Sequence, residues 1–149
     1  MFLSQKCQYA LRAIFELAKL SGQGPVKIAE IAEAQAIPVR FLEVILSQLK
    51  QAGFATSQRG NKGGYLLICS PGELTVGEVI RFMQGPVGPV ECVAGASRGK
   101  CPLYGNCAFL PMWEKVQKAV SDVYDNTTFQ DLLDQEKQKF RNKAICYSI

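Results

Sequence analysis

The segment Arg59-Gly60-Asn61-Lys62-Gly63-Gly64 constrains the fold more than any other part of the chain. It stands between two short β-like runs, residues 54–58 and 65–69. Glycine permits the positive φ of a tight tip, so the segment reads as a β-hairpin with a basic apex. Everything ahead of it has helical spacing instead. The expected fold is mainly α with a single small β-hairpin.

Ser4 is placed to cap a first helix running to about residue 20, in which Ala10, Ala13, Ile14, Leu17 and Ala18 recur on one face. Ser21-Gly22-Gln23-Gly24-Pro25 breaks it. Residues 26–34 read as a short second helix with Ile28, Ile31 and Ala32 inward. Pro38 suits the first position of a third helix that ends near residue 52, with Leu42, Ile45, Leu46 and Leu49 aligned and Gly53 as its stop. Beyond the hairpin, Thr75 caps a fourth helix to about residue 84, burying Val76, Val79, Ile80 and Met83. Residues 85–107 are rich in Gly, Pro and Cys and read as an irregular loop. A long helix over 110–124 follows, with Pro111 in its first turn and an apolar stripe of Trp113, Val116, Val120 and Val123. Thr127 with Gln130 suggests a capping box for a last helix to about residue 140.

Charge separates the two halves. Residues 1–64 hold eight of the 17 basic and four of the 13 acidic residues, so the whole net charge of +4 lies there. That fits a basic N-terminal module facing a polyanion. No run of 18 apolar residues occurs, and the polar residues Gln5, Lys6, Gln8, Arg12 and Glu16 interrupt any leader-like stretch, so the cytoplasm is the expected compartment. Six cysteines in such a chain point to metal binding, thiol chemistry or plain burial rather than a disulfide framework. The absence of histidine removes Ser-His-Asp and Cys-His catalysis. With no Cys-x-x-Cys and no phosphate-binding glycine loop after a strand, the chain is not expected to be an enzyme.

Three helices followed by a hairpin is the order of a winged helix-turn-helix. In that arrangement the third helix enters the major groove of DNA by its N-terminal end. The residues there are Pro38, Val39, Arg40, Phe41, Glu43 and Val44. Arg40 suits phosphate or guanine, Glu43 can accept from cytosine N4, and Phe41 can touch a thymine methyl. Phe41 could equally be a core residue, and Glu43 merely solvated. At the wing, Arg59 and Lys62 flank glycines that let the backbone approach a duplex, and an arginine suits a narrow minor groove. The wing set is Arg59, Gly60, Asn61, Lys62, Gly63, Gly64 and Tyr65.

Several stretches carry a resemblance. They are Gln8-Tyr9-Ala10-Leu11-Arg12, Ile28-Ala29-Glu30-Ile31-Ala32, Phe41-Leu42-Glu43, the wing from Arg59 through Leu67, and Leu74-Thr75-Val76-Gly77-Glu78-Val79-Ile80. Together they resemble the Rrf2 family of bacterial winged helix-turn-helix regulators, which has IscR-like, NsrR-like and CymR-like members. The likeness covers nearly the whole chain. It implies a sequence-specific DNA-binding transcription regulator, homodimeric through its long C-terminal helix, on a pseudo-palindromic double-stranded operator. The stripe from Trp113 to Val123 is compatible with that interface and with packing inside one subunit.

Cys92, Cys101 and Cys107 are spaced C-x8-C-x5-C in the irregular loop. Thiolates are soft donors that suit iron–sulfur clusters and zinc. Iron–sulfur members of the family carry three cysteines in this loop, so the resemblance implies a cluster here, 2Fe–2S favoured over 4Fe–4S. Two departures stand out. The first gap is a few residues wider than the IscR-like spacing, and Leu110 stands where those members place a histidine. Other members draw an oxygen ligand from the first helix of the partner subunit, where Cys7, Gln8 and Tyr9 lie here. Cys7 is therefore a candidate fourth ligand, with Glu91 and Glu114 as further possibilities, and the ligand is left open. Structural zinc, a redox-active thiol pair or no cofactor at all are the competing readings. Cys69, at the end of a wing strand, and Cys146, in the tail, are not expected to share in such a site.

The expected division is a winged helix-turn-helix DNA-binding domain over 1–84 and a cysteine-bearing cluster-binding loop over 85–109. Dimerisation helices over 110–140 and a flexible tail over 141–149 complete it. The expected activity is that of a sensor of iron, redox or nitric oxide status. The alternative is a cofactor-free regulator controlled by a partner protein, a metabolite or thiol oxidation.

Overall fold

A computed structural model describes residues 3–95 and 99–146. The elements run α1 (Gln5–Lys19), α2 (Ile28–Gln35), α3 (Val39–Gln51), β1 (Ala55–Gln58), β2 (Gly64–Leu67), α4 (Val76–Gln84), α5 (Glu91–Ala94), α6 (Leu110–Asp125) and α7 (Phe129–Cys146). The strands pair antiparallel, with Ala55 opposite Leu67 and Gln58 opposite Gly64. At the tip Gly60 has φ 111°, a backbone state that an L side chain resists. The chain is thus mainly helical with one hairpin, in the order of a winged helix-turn-helix. None of the described helices is long and apolar enough to cross a membrane.

α1 is the central post. The Ser4 hydroxyl accepts from the Cys7 N–H at 3.1 Å and satisfies one of the open donors of the first turn. Cys7, Ala10, Ala13, Ile14 and Leu17 then repeat at helical spacing and are all buried. Ile31 of α2 and Leu42, Ile45, Leu46 and Leu49 of α3 close the core against that face. Glu16, a buried carboxylate, accepts from Gln35 Nε2 at 2.7 Å and so joins α1 to α2. Between α2 and α3, Ala36 takes the left-handed conformation, φ 49°. Pro38 stands just outside α3 as its N-terminal cap, one position earlier than expected, with φ −60° and ψ 130°.

Four expectations need correction. Val26 does not start the second helix. It bridges to Tyr65, its N–H donating to the Tyr65 carbonyl at 2.9 Å and its carbonyl accepting from the Tyr65 N–H at 2.8 Å. Val26 follows Pro25, which has no N–H to donate, and its β-branched side chain suits an extended backbone. A Cβ at Gly64 would collide with the Val26 carbonyl, so the approach requires glycine.

The cap of the last helix is Thr128 with Asp131, not Thr127 with Gln130. The Thr128 N–H and hydroxyl donate to Asp131 Oδ2 at 2.8 and 2.7 Å, and the Asp131 N–H returns to Thr128 Oγ1 at 3.1 Å. A carboxylate at a helix N-terminus accepts both bonds and meets the positive end of the helix dipole, which a neutral glutamine does not. These bonds from Thr128, the backbone one first, hold the Asp131 carboxyl below its ordinary range.

α7 also continues to Cys146, so residues 141–146 are helical rather than tail, while 147–149 lie outside the described residues. α7 also docks on its own subunit. Phe129 and Leu133 are buried in the same core as α1, and Lys19 pairs with Glu136 at 3.1 Å. Finally, the stretch 85–107 is not wholly irregular, because Glu91–Ala94 forms one helical turn with Val93 buried. Residues 96–98 of that loop lie outside the described residues.

Candidate nucleic-acid interface and cysteine loop

The first turn of α3 is a solvent-facing surface. Its inner side is spoken for by Leu42, Ile45 and Leu46, so Pro38, Arg40 and Glu43 point outward, as do the large apolar Val39, Phe41 and Val44. Phe41 is 46% exposed, which disposes of the core reading for it. Its ring lies 6.4 Å from that of Tyr9 on α1, and the Arg40 guanidinium sits 4.7 Å from its centroid. Arg12 stacks on Tyr9 in the same way at 5.5 Å. Two cations and two rings thus form one patch where α1 meets α3, with Arg40 and Phe41 exposed and Tyr9 and Arg12 half-buried. A cavity of about 430 Å³ opens beside it, with Lys6 and Gln5 at its edge and Tyr9, Phe41, Val44 and Ile45 along its wall. Apolar side chains with arginines between them offer both methyl contacts and charge to a groove of base pairs.

The hairpin places Arg59, Gly60, Asn61 and Lys62 at an exposed tip, while Gly63, Gly64 and Tyr65 are half-buried. Gly63 lies against the Gln58 carbonyl, too close for a Cβ. Tyr65 is also a fold residue through its pairing with Val26. The hairpin is fastened to α3 where Lys50 Nζ donates to Ser57 Oγ at 2.6 Å.

α6 has no buried residue. The expected stripe splits into two neighbouring faces. Trp113, Val120 and Tyr124 are half-buried, Val120 and Tyr124 against α4, while Val116 and Val123 are 37% and 63% exposed. The outward face is extended by Phe109 and Met112, 63% and 45% exposed, which the sequence reading passed over. Met112, Val116 and Val123 follow one another at helical intervals of four and seven, the signal that would have found them.

The three loop cysteines differ in exposure. Cys92 on α5 and Cys107 are half-buried, and Cys101 is exposed. Among the described residues no three His, Cys, Asp or Glu side chains stand close enough to hold one metal ion. The donors suit iron–sulfur chemistry, but the described residues do not gather them round one point. Leu110, at the start of α6, offers no donor. Cys7 is fully buried among Val76, Ile80 and Val87, and burial pushes its thiol up, against the thiolate a metal needs. Its role as a ligand would require the α1–α4 packing to open. Cys69 is half-buried, and burial likewise raises its thiol.

The chain matches the Rrf2 family, described as "Iron-dependent Transcriptional regulator", over residues 3–135. It is 36% identical over 132 residues to the HTH-type transcriptional regulator CymR of Bacillus subtilis, covering 89% of each chain. It is 33% identical over 137 residues to the HTH-type transcriptional regulator IscR of Pectobacterium carotovorum, covering 92% of this chain and 82% of that one. Among solved structures it is similar to CymR, described as the global cysteine regulator of B. subtilis, with TM-score 0.77 at 33% identity over 91% of this chain and 98% of the other. It is also similar to T. potens IscR, with TM-score 0.76 at 31% identity over 93% and 90%.

Proposed function

This chain belongs to the Rrf2 family of transcriptional regulators, and from that premise we propose that it binds a pseudo-palindromic double-stranded operator as a homodimer. The carrying observation is the exposed first turn of α3, where Arg40, Phe41, Glu43 and Val44 face solvent above a core closed by Leu42, Ile45 and Leu46. In this reading that turn enters the major groove, with Arg40 and Glu43 on base edges or phosphate and Phe41 and Val44 on thymine methyls. The wing residues Arg59 to Lys62 lie over the adjoining minor groove. The outward face of α6 from Phe109 to Val123 meets its copy in a second subunit.

Arg59→Ala tests the wing. On an operator selected from random duplexes, affinity is expected to fall by about 1–3 kcal/mol and the salt slope by about 1. An unchanged affinity and slope would show that the wing does not touch DNA.

The regulatory input lies in the cysteine loop. One reading is an iron–sulfur cluster on Cys92, Cys101 and Cys107, supported by three soft donors on one loop and by the family description. Such a cluster requires the loop to bring the three thiols together, with the fourth ligand open. The second reading is supported by the exposure of Cys101, whose thiol an oxidant in solution can reach. In it two thiols surrender two electrons and two protons to an oxidant and join as a disulfide, with no metal. Anaerobic purification separates the two. A brown protein with iron and sulfide in comparable amounts, lost on Ala replacement of the three cysteines, supports the cluster. A protein colourless after anaerobic reconstitution rejects it and leaves DNA binding untouched.

A further inference from the structure

α4 belongs to the same body as α3 and the hairpin, and α6 carries the face assigned to the dimer. The two helices are tied near one end of α6. Arg81 of α4 meets Asp125 of α6 as a fork, Nη1 to Oδ1 at 2.6 Å and Nη2 to Oδ2 at 2.7 Å. Gly77, one turn earlier on α4, is buried beneath the pair. A Cβ there would collide with Asp125 Oδ1 and stand 3.0 Å from Arg81 Nη1. The bare glycine therefore forms the notch in which the carboxylate sits.

Two parallel charge-assisted bonds fix orientation as well as distance. The Arg81 hydrogen bonds hold the Asp125 carboxyl below its ordinary range, so the fork is charged at neutral pH. A second tie lies beside it, where the Val76 N–H donates to the Thr127 carbonyl at 2.9 Å. Towards the other end of α6 the seam opens into a cavity of about 360 Å³ bounded by Arg81, Val87, Ala94, Gln117 and Ser121. Both ties lie at or just beyond the C-terminal end of α6, and the cavity lies nearer its middle.

We infer that the Arg81–Asp125 fork, seated on Gly77, is a positioning element that sets the angle between the DNA-reading body and α6. It thereby selects the spacing between operator half-sites. This rests on the proposed operator-binding dimer. In such a dimer each reading head hangs from its own α6, so a change of angle at the fork moves the two heads together or apart. The pair adds little to stability, because its side chains are 41% and 43% exposed and surface ion pairs contribute little. Its bidentate geometry and glycine seat answer to orientation instead.

The test uses the full chain with a series of duplexes. Two half-sites are separated by lengths that change one base pair at a time, and a single half-site serves as reference. Binding is measured for the unaltered protein, Asp125→Asn and Gly77→Ala. Asparagine keeps the shape and removes the charge and one acceptor, while alanine expels the carboxylate from its notch. Both variants are expected to lose about tenfold in affinity at the preferred spacing and to bind neighbouring spacings nearly as well. Half-site affinity and the dimer state stay unchanged. A spacing profile in Asp125→Asn identical to that of the unaltered protein overturns the inference. So does an equal loss on half-site and full operator, which marks general damage. Absence of any spacing preference in the unaltered protein overturns the operator-binding dimer itself, and it is seen without any variant.

Discussion

Val116→Glu combined with Val123→Glu is expected to give a folded monomer whose affinity for the full operator is lower by about a thousandfold. Both valines are exposed on α6, 37% and 63%, and neither supports the core of its own subunit. A carboxylate at either place costs the isolated subunit little. Across a two-fold interface the same face meets itself, so four carboxylates are crowded into one apolar seam, and like charges brought together there cost several kcal/mol. The loss on DNA follows from linkage. Two reading heads on one dimer bind the second half-site at high effective concentration, and separate heads lack that advantage. Sedimentation equilibrium reads the assembly, and fluorescence anisotropy on full and half operators reads the affinity. Half-site binding should persist. A dimer that survives both substitutions would move the interface away from the outward face of α6.

Phe129→Ala is expected to cost about 3–5 kcal/mol, out of a total that for a domain is about 5–15 kcal/mol. Phe129 is fully buried and is the largest such side chain in the described structure. It begins α7 where its N–H donates to the Leu74 carbonyl at 3.1 Å, and it packs in the core built on α1. Truncation removes apolar contact and leaves a hole that α1 and α4 cannot close without moving. Phe140, on the same helix but 63% exposed, is the control, and its replacement by alanine should change stability by no more than about 0.5 kcal/mol. Urea titrations at one protomer concentration compare the two, since association would otherwise enter the result. Equal stabilities would mean that α7 does not dock on α1.

What the sequence disclosed was mostly local. Ser4 and Thr75 are capping residues because a hydroxyl beside a helix start has its partner three residues away, Cys7 and Glu78 respectively. The core faces of α1 and α3 follow from spacing alone, since each needs only its own helix to be aligned. The misreadings involve partners distant in sequence or neighbours that compete. Val26 is an extended, bridging residue only because Tyr65, far along the chain, lies beside it. Thr127 and Thr128 both stand three residues ahead of a possible partner, and the carboxylate of Asp131 decides between them. The place of α7 depends on Phe129 finding the core around α1, which no periodicity within α7 announces. For the candidate site, the outward turn of α3 follows from where Leu42, Ile45 and Leu46 point. The cysteine spacing gives donor type but not position, because a loop built around Gly95, Gly99 and Gly105 does not fix where its side chains meet.

The pairing of Val26 with Tyr65 gives the hairpin a second point of attachment, on the segment between α1 and α2. With Lys50 holding Ser57 at its other strand, the hairpin cannot swing independently of α3. In the proposed docking, adjustment between protein and operator then falls on the DNA. A duplex whose minor groove is already narrow under the wing binds with little deformation, and a stiff or wide one must be bent to fit. Base pairs that no side chain touches would therefore carry part of the operator's information, in the flexibility of their steps rather than in the groups on their edges.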